Sequence, residues 1–266
     1  IGAALCTFGL GGAVFALIEQ PNLGWGSPVI WGTFAAGILL FALFLWRQRS
    51  ATAPMLPLDL FRIRNFWTGN IATLFVYAAL SLNGFVVTVY LQQEAGFSAT
   101  LAGLASLPTT VMMVLLSASM GSLSDRFGPR IFMTVGPLVM AGGSLLLLTV
   151  TDPVNYWLQL LPGLILFGLG LAITVSPLTA AILGAVDPAR SGIASAVNNA
   201  IARIAGLLII ATLATIVAGS LDLDGFHRAA IVTAGLMVAG GIVSFLGIRN
   251  SDVAPVEKRA EPATGA

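Results

Sequence analysis

Eight stretches of this chain are apolar over lengths that match a lipid bilayer, and no other feature constrains its fold as tightly. A hydrocarbon core about 30 Å thick needs roughly 20 apolar residues per helical span at about 1.5 Å each. Runs of that order occupy positions 1–18, 29–46, 71–91, 101–120, 131–150, 157–177, 193–218 and 226–248. The reading is an all-α integral membrane protein with eight transmembrane helices. The first run begins at Ile1 with no initiator Met, basic leader or small-residue cleavage site. It is therefore read as a span of a chain expected to extend upstream, not as a signal peptide.

Composition agrees. Charged residues make up 9% of the chain, against roughly 25% in an ordinary globular domain, too few to coat a water-facing surface. A net charge of +1 leaves no basic footprint for nucleic acid, so no nucleic-acid partner is expected. One cysteine, Cys6, and one histidine, His227, leave no material for an internal disulfide, a metal cluster or a redundant Ser-His-Asp relay. Neither an enzyme nor a cofactor is expected.

Lys and Arg set orientation, because cytoplasmic loops retain positive charge during insertion. Arg47, Arg49, Arg62, Arg64, Arg126, Arg130, Arg190, Arg249, Lys258 and Arg259 all fall on one side of the eight runs. Only Arg228 falls on the other, and Arg203 lies inside a run. The basic side, including the C-terminus, is expected to be cytoplasmic in the cell membrane. Residues 47–70, with two prolines and four arginines, read as a cytoplasmic linker, with Phe61 and Phe66 expected at the headgroup boundary. The tail from 253 onward carries few large apolar groups and reads as disordered.

The strongest short motif runs from Gly121 through Ser122, Leu123, Ser124, Asp125, Arg126, Phe127, Gly128 and Pro129 to Arg130. It reads as a ten-residue loop between the fourth and fifth spans. Gly121 and Gly128 would permit tight turns. Asp125 would offer a carboxylate to a helix N-terminus or an arginine, and Arg126 and Arg130 would anchor the cytoplasmic face. A plain basic turn between spans accounts for the same residues.

These ten residues resemble the G-x-L-[AS]-D-[RK]-x-G-x-[RK] signature of the major facilitator superfamily. Trp25-Gly26, the run Leu56 to Arg62, Tyr90-Leu91-Gln92, Gly103 to Pro108 and Asn198 to Gly206 resemble, more narrowly, the fourteen-span drug/proton antiporters of the EmrB/QacA type. The resemblance implies two extra linker spans over 1–46, the linker at 47–70, a six-helix C-terminal transporter half over 71–248 and a cytoplasmic tail over 249–266. It also implies that a six-helix N-terminal half, with its own loop signature and antiporter glycine-proline motif, lies outside this sequence. Gly136-Pro137 followed by Gly142-Gly143 imitates that motif with the wrong spacing and place, and reads as helix-packing glycine. Asp125, by the same resemblance, would face a helix of the absent half and brace a cytoplasmic gate.

Polar residues within spans are functional candidates. Asn70, Thr73, Tyr77, Ser81, Gly84 and Thr88 fall within an arc of roughly 80° at about 100° per residue. Such a stripe suits a cavity-lining face, with Tyr77 placed to stack on a flat or cationic substrate, and it suits helix–helix contact too. Asn83 lies off the stripe and reads as packing. On the seventh span Ser191, Ser195, Asn199 and Arg203 recur every four residues, with Asn198 beside them. Counting from Gly192, Arg203 lies roughly 16 Å deep. A guanidinium there must meet water, a carboxylate or carbonyls. It could be a structural arginine satisfied by Asn199 and nearby carbonyls, or it could face a cavity to organise the span, to tune an acid or to meet an anionic group. Intramembrane acids are missing from the spans, and Glu94, at an outer end, is the one marginal local candidate.

Three functions remain in view: proton-coupled export of amphipathic or cationic compounds, carriage of a defined metabolite such as an amino acid, sugar or lipid, and a membrane enzyme or non-transporting scaffold. The partners expected are the lipid bilayer, a small-molecule substrate, protons and the absent half.

Overall fold

The computed structural model describes residues 2–24, 26–50, 57–217 and 219–250, and among these the regular structure is entirely helical. Ten α-helices run in order: α1 (Gly2–Leu23), α2 (Pro28–Ser50), α3 (Arg64–Gln93), α4 (Ala99–Ala105), α5 (Leu107–Phe127), α6 (Pro129–Leu146), α7 (Leu161–Leu183), α8 (Ser191–Ala211), α9 (Leu213–Ile216) and α10 (Leu223–Gly247). Eight helical stretches are long and apolar enough to cross a membrane, α4 and α5 together forming the fourth. Ser98 caps α4 by accepting from the Leu101 N–H, and the break at Ser106 places Pro108 in the first turn of α5, where its missing N–H costs little. Residues 251–266 of the tail and 51–56 of the linker lie outside the described residues.

The helices outrun the apolar runs that carry them. α2 continues through Arg47 and Arg49, basic residues that complement the C-terminal end of the helix dipole. α3 starts at Arg64, because Arg64 and Asn65 are held against the end of α10. Phe66 consequently packs inside the protein and does not face the headgroups. It is fully buried, edge-on to Phe61 at 5.4 Å, while Phe61 stays exposed.

The six helices α3 to α10 that span form one bundle. α3 and α7 meet at its centre, α6 and α10 pack behind them, α5 flanks α7 and α8 flanks α3. About half the residues of α3 and α7 are buried, against a few in α4, α5 and α8. The bundle is therefore closed at the back and open along α5 and α8. The pair α1–α2 packs on itself and reaches the bundle mainly through α8.

Glycine sets the tightest seam. A Cβ on Gly143 of α6 would lie 2.6 Å from the Phe167 nitrogen of α7, and one on Gly170 would lie 2.6 Å from the Gly136 carbonyl. Gly136 and Gly143 are thus packing residues, as their sequence reading held. The far end is closed by Tyr90 stacked on Phe226 at 4.4 Å and by His227, whose Nε2 lies 3.0 Å from the Val150 carbonyl.

Candidate functional site

At the end of the bundle that carries the arginines, the ten motif residues are not a loop. Residues 121–127 complete α5, Pro129 opens α6, and Gly128 alone makes the turn. Its φ of 86° and ψ of 148° are open to glycine and costly for other residues, and its N–H closes α5 by donating to the Ser124 carbonyl at 2.8 Å. Gly121 is not a turn residue. It sits mid-helix, where a Cβ would fall 2.6 Å from Ser176 Oγ of α7. The charges and glycines that read as a loop belong to a helix that leaves the apolar layer without unwinding.

Arg130 is anchored to the end of α10. Its Nε donates to the Phe245 carbonyl at 2.9 Å, its guanidinium lies 4.8 Å from the Phe245 ring centroid, and its N–H donates to Asn250 Oδ1 at 3.2 Å. From the other side Arg64 donates to the Gly247 and Leu246 carbonyls, both at 2.8 Å. Asn65 and Arg249 exchange two bonds, at 2.8 and 2.9 Å. Together they satisfy the last carbonyls of α10, which no intrahelical donor can reach, with groups of the charge the helix dipole favours there. Asp125 and Arg126 stay exposed, with Arg126 5.6 Å from the Phe127 ring centroid. Asp125 borders a cavity of about 210 Å³ shared with Asn65, Ser124, Ala181, Gly184 and Arg249.

A second contact ties the linker to the same end. Asp59, in the short turn Leu58–Arg62, accepts from Arg190 Nη1 at 2.6 Å. The Arg190 guanidinium holds the Asp59 carboxyl below the ordinary carboxylate range.

The polar stripe of α3 divides. Thr73, expected on an open face, is wholly buried: its hydroxyl donates to the Gly69 carbonyl at 2.9 Å and accepts from Asn198 Nδ2 of α8 at 2.7 Å. Asn198 also reaches Asn70 Oδ1 at 3.3 Å, and Asn70 donates to the Phe66 carbonyl at 2.8 Å. Lipid or a dry interface offers such groups no other partners, which is why they find each other between α3 and α8. Ser81 sits in the same seam, 2.6 Å from where a Gly206 Cβ would be. Tyr77 and Thr88 are half-buried, Thr88 donating to the Gly84 carbonyl at 2.8 Å. Asn83 is buried as packing.

On α8, buried Ala194, Ala202 and Ala205 define the side that meets α3. Ser195, Asn199 and Arg203 are exposed on a different side, and Arg203 makes no hydrogen bond or ion pair with a described residue. The reading in which Asn199 and nearby carbonyls satisfy Arg203 does not hold among the described residues. Glu94 is exposed at the C-terminal cap of α3, at the opposite end from the motif. No group of three or more metal-ligating side chains occurs among the described residues. Sequence reading missed the Arg64, Asn65 and Arg249 contacts and the Asp59–Arg190 pair, whose partners lie more than a hundred positions apart.

Six spans closed at the back and an added helix pair define a multi-pass helical membrane protein. The chain belongs to the Major Facilitator Superfamily, whose model matches residues 1–210 and, in a second alignment, 69–265. It is 33% identical over 218 residues to the methylenomycin A resistance protein of Bacillus subtilis, covering 82% of this chain and 47% of that protein. It is 31% identical to the methylenomycin A resistance protein of Streptomyces coelicolor, covering 86% and 48%, and 32% identical to the multidrug resistance protein Stp of Mycobacterium tuberculosis, covering 83% and 41%. The chain spans about half the length of these curated relatives.

Proposed function

We propose that this chain is the two linker spans and C-terminal six-helix half of a fourteen-span, EmrB/QacA-type transporter that exports amphipathic or cationic compounds in exchange for protons. The observation that carries the reading is the open side of the bundle. There Ser195, Asn199 and Arg203 line one side of α8 while the back is closed by glycine-packed helices. A lone arginine exposed at mid-depth costs at least roughly 2.5–3.5 kcal/mol on insertion scales unless water or a carboxylate meets it, so a second six-helix half covering this side supplies what it lacks. The relatives' names, which concern methylenomycin A resistance and multidrug resistance, point the same way.

In this reading the arginine-rich end and the C-terminus are cytoplasmic in the cell membrane. Gly121, Asp125, Arg126, Gly128 and Arg130 form the cytoplasmic gate, with exposed Asp125 turned toward the other half. Tyr77, Ser81, Thr88, Asn199 and Arg203 contribute to the substrate path, with Thr73 supporting them from behind. A guanidinium has a fixed charge in proteins, so coupling in this reading falls to a carboxylate. The titrating carboxylate belongs to the other half.

Flux of a cationic dye into inside-out proteoliposomes of the full-length protein, driven by an imposed pH gradient, tests the proposal. Uptake should collapse with a protonophore, slow in Asp125→Asn and fail in Arg203→Ala, with Arg203→Lys between. Dye flux indifferent to the gradient, or both Arg203 variants transporting normally across pH 6 to 8, would overturn it.

A further inference from the structure

The helix pair α1–α2 does not close onto the bundle. Between it and α8 runs a groove of about 390 Å³ lined by apolar residues alone, among them Gly9, Ala13, Gly37, Phe41, Ala42 and Ile204. Small side chains on both helices keep it concave. Its stretch on α2, from Gly37 to Leu45, measures about 12 Å at about 1.5 Å per residue. One turn further toward the arginine-rich end stands Arg49, roughly 18 Å from the groove's inner limit, close to the roughly 15 Å of one leaflet's acyl layer.

Arg47 and Arg49 both complement the C-terminus of α2, but they are not equivalent. At about 100° per residue, Arg49 points within roughly 50° of the groove-lining positions and Arg47 roughly 150° away. Arg49 is exposed and makes no hydrogen bond or ion pair with a described residue, and no carboxylate lines the groove. An apolar channel as deep as one leaflet, ending in a free guanidinium, matches a lipid with a negative headgroup better than it matches a neutral one.

We propose that this groove is a binding site for an anionic phospholipid, one acyl chain filling the seam between α1–α2 and α8 and the phosphate held by Arg49. The planar fork of a guanidinium suits phosphate oxygens, and the chain supplies the packing that the protein's own side chains leave out. The bound lipid then joins the linker spans to the bundle.

A photocrosslinker attached at Ala42→Cys, in a Cys6→Ala background of the full-length protein, reports what occupies the groove. In vesicles of phosphatidylcholine and phosphatidylglycerol at about three to one, phosphatidylglycerol adducts should exceed their bulk share about threefold. Arg49→Gln should return adducts to the bulk ratio, and Arg47→Gln should not. Adducts in bulk proportion, equal effects of the two arginine variants, or crosslinks to another segment of the protein or to a second copy would each overturn the proposal.

Discussion

Asn198 and Thr73, 125 positions apart in the chain, share a 2.7 Å hydrogen bond that joins α8 to α3. Asn198→Ala leaves the Thr73 hydroxyl and Asn70 carbonyl oxygen buried with an acceptor site unfilled. A loss of about 1 kcal/mol is expected, with a Thr73→Val coupling of about 0.6 to 1.7 kcal/mol, the range seen between membrane helices. A double-mutant cycle in a detergent unfolding titration measures it. Additive effects would mean that the bond contributes nothing to the α3–α8 seam.

The spans were legible because continuous apolar runs have few alternatives, and Gly136 and Gly143 of α6 read as packing residues because their spacing and place did not fit the antiporter motif. What was not legible depends on distance. Thr73 looks the same in sequence whether it faces a cavity or a neighbouring helix, and only the position of Asn198 decides. The segment at 121–127 has a loop's composition yet stays helical, since Gly121 packs on Ser176 and Gly128 alone supplies the turn. The exposure of Asn199 and Arg203 was readable as periodicity, but not the side of α8 that takes it.

The Asp59–Arg190 pair makes the linker's anchorage depend on pH. Because the folded-state pKa of Asp59 is depressed, its contribution is complete above the unfolded value near about 3.9 and is lost as pH falls through the lower folded value. Limited proteolysis of the linker should therefore accelerate below about pH 4 in the wild type. Asp59→Asn should cleave at the faster rate at every pH. High salt should narrow the difference, since both side chains are solvent-exposed. A pH-independent wild type would exclude the pair as an anchor.

Glycine-to-alanine changes should sort by what the new methyl meets. At Gly143 it meets the Phe167 backbone, which cannot step aside, and a loss above about 2 kcal/mol is expected. At Gly206 it meets only the Ser81 hydroxyl, and the cost should stay below about 1 kcal/mol. At Gly84 nothing lies within 4 Å, so alanine should be neutral or stabilise by up to about 1 kcal/mol through helix propensity. Gly128→Ala should cost about 1–3 kcal/mol through a backbone conformation essentially reserved for glycine, and Asn250→Ala, which removes the side chain that the new methyl would meet, should not restore that loss. Thermal midpoints of the purified variants rank them, and a different order would overturn this sorting.

Thr68 offers the opposite sign. Its hydroxyl is buried against Gly247 with no hydrogen-bond partner. Thr68→Val keeps the shape and removes an unsatisfied group, so the thermal midpoint should hold or rise. A fall would mean that the hydroxyl finds a partner in the folded protein.

With no side chains between them at Gly136, Gly143, Gly163 and Gly170, α6 and α7 touch as bare backbone, and backbone does not repack. Two rods fused in this way have no gear between them. Any reorientation of the bundle must carry both together, and the give has to come from single joints such as Gly128 or from the linker held by Asp59 and Arg190. A thicker seam, padded with leucine, would let each helix tilt separately and spend the motion locally. This one couples the two helices along the stretch where their glycines meet.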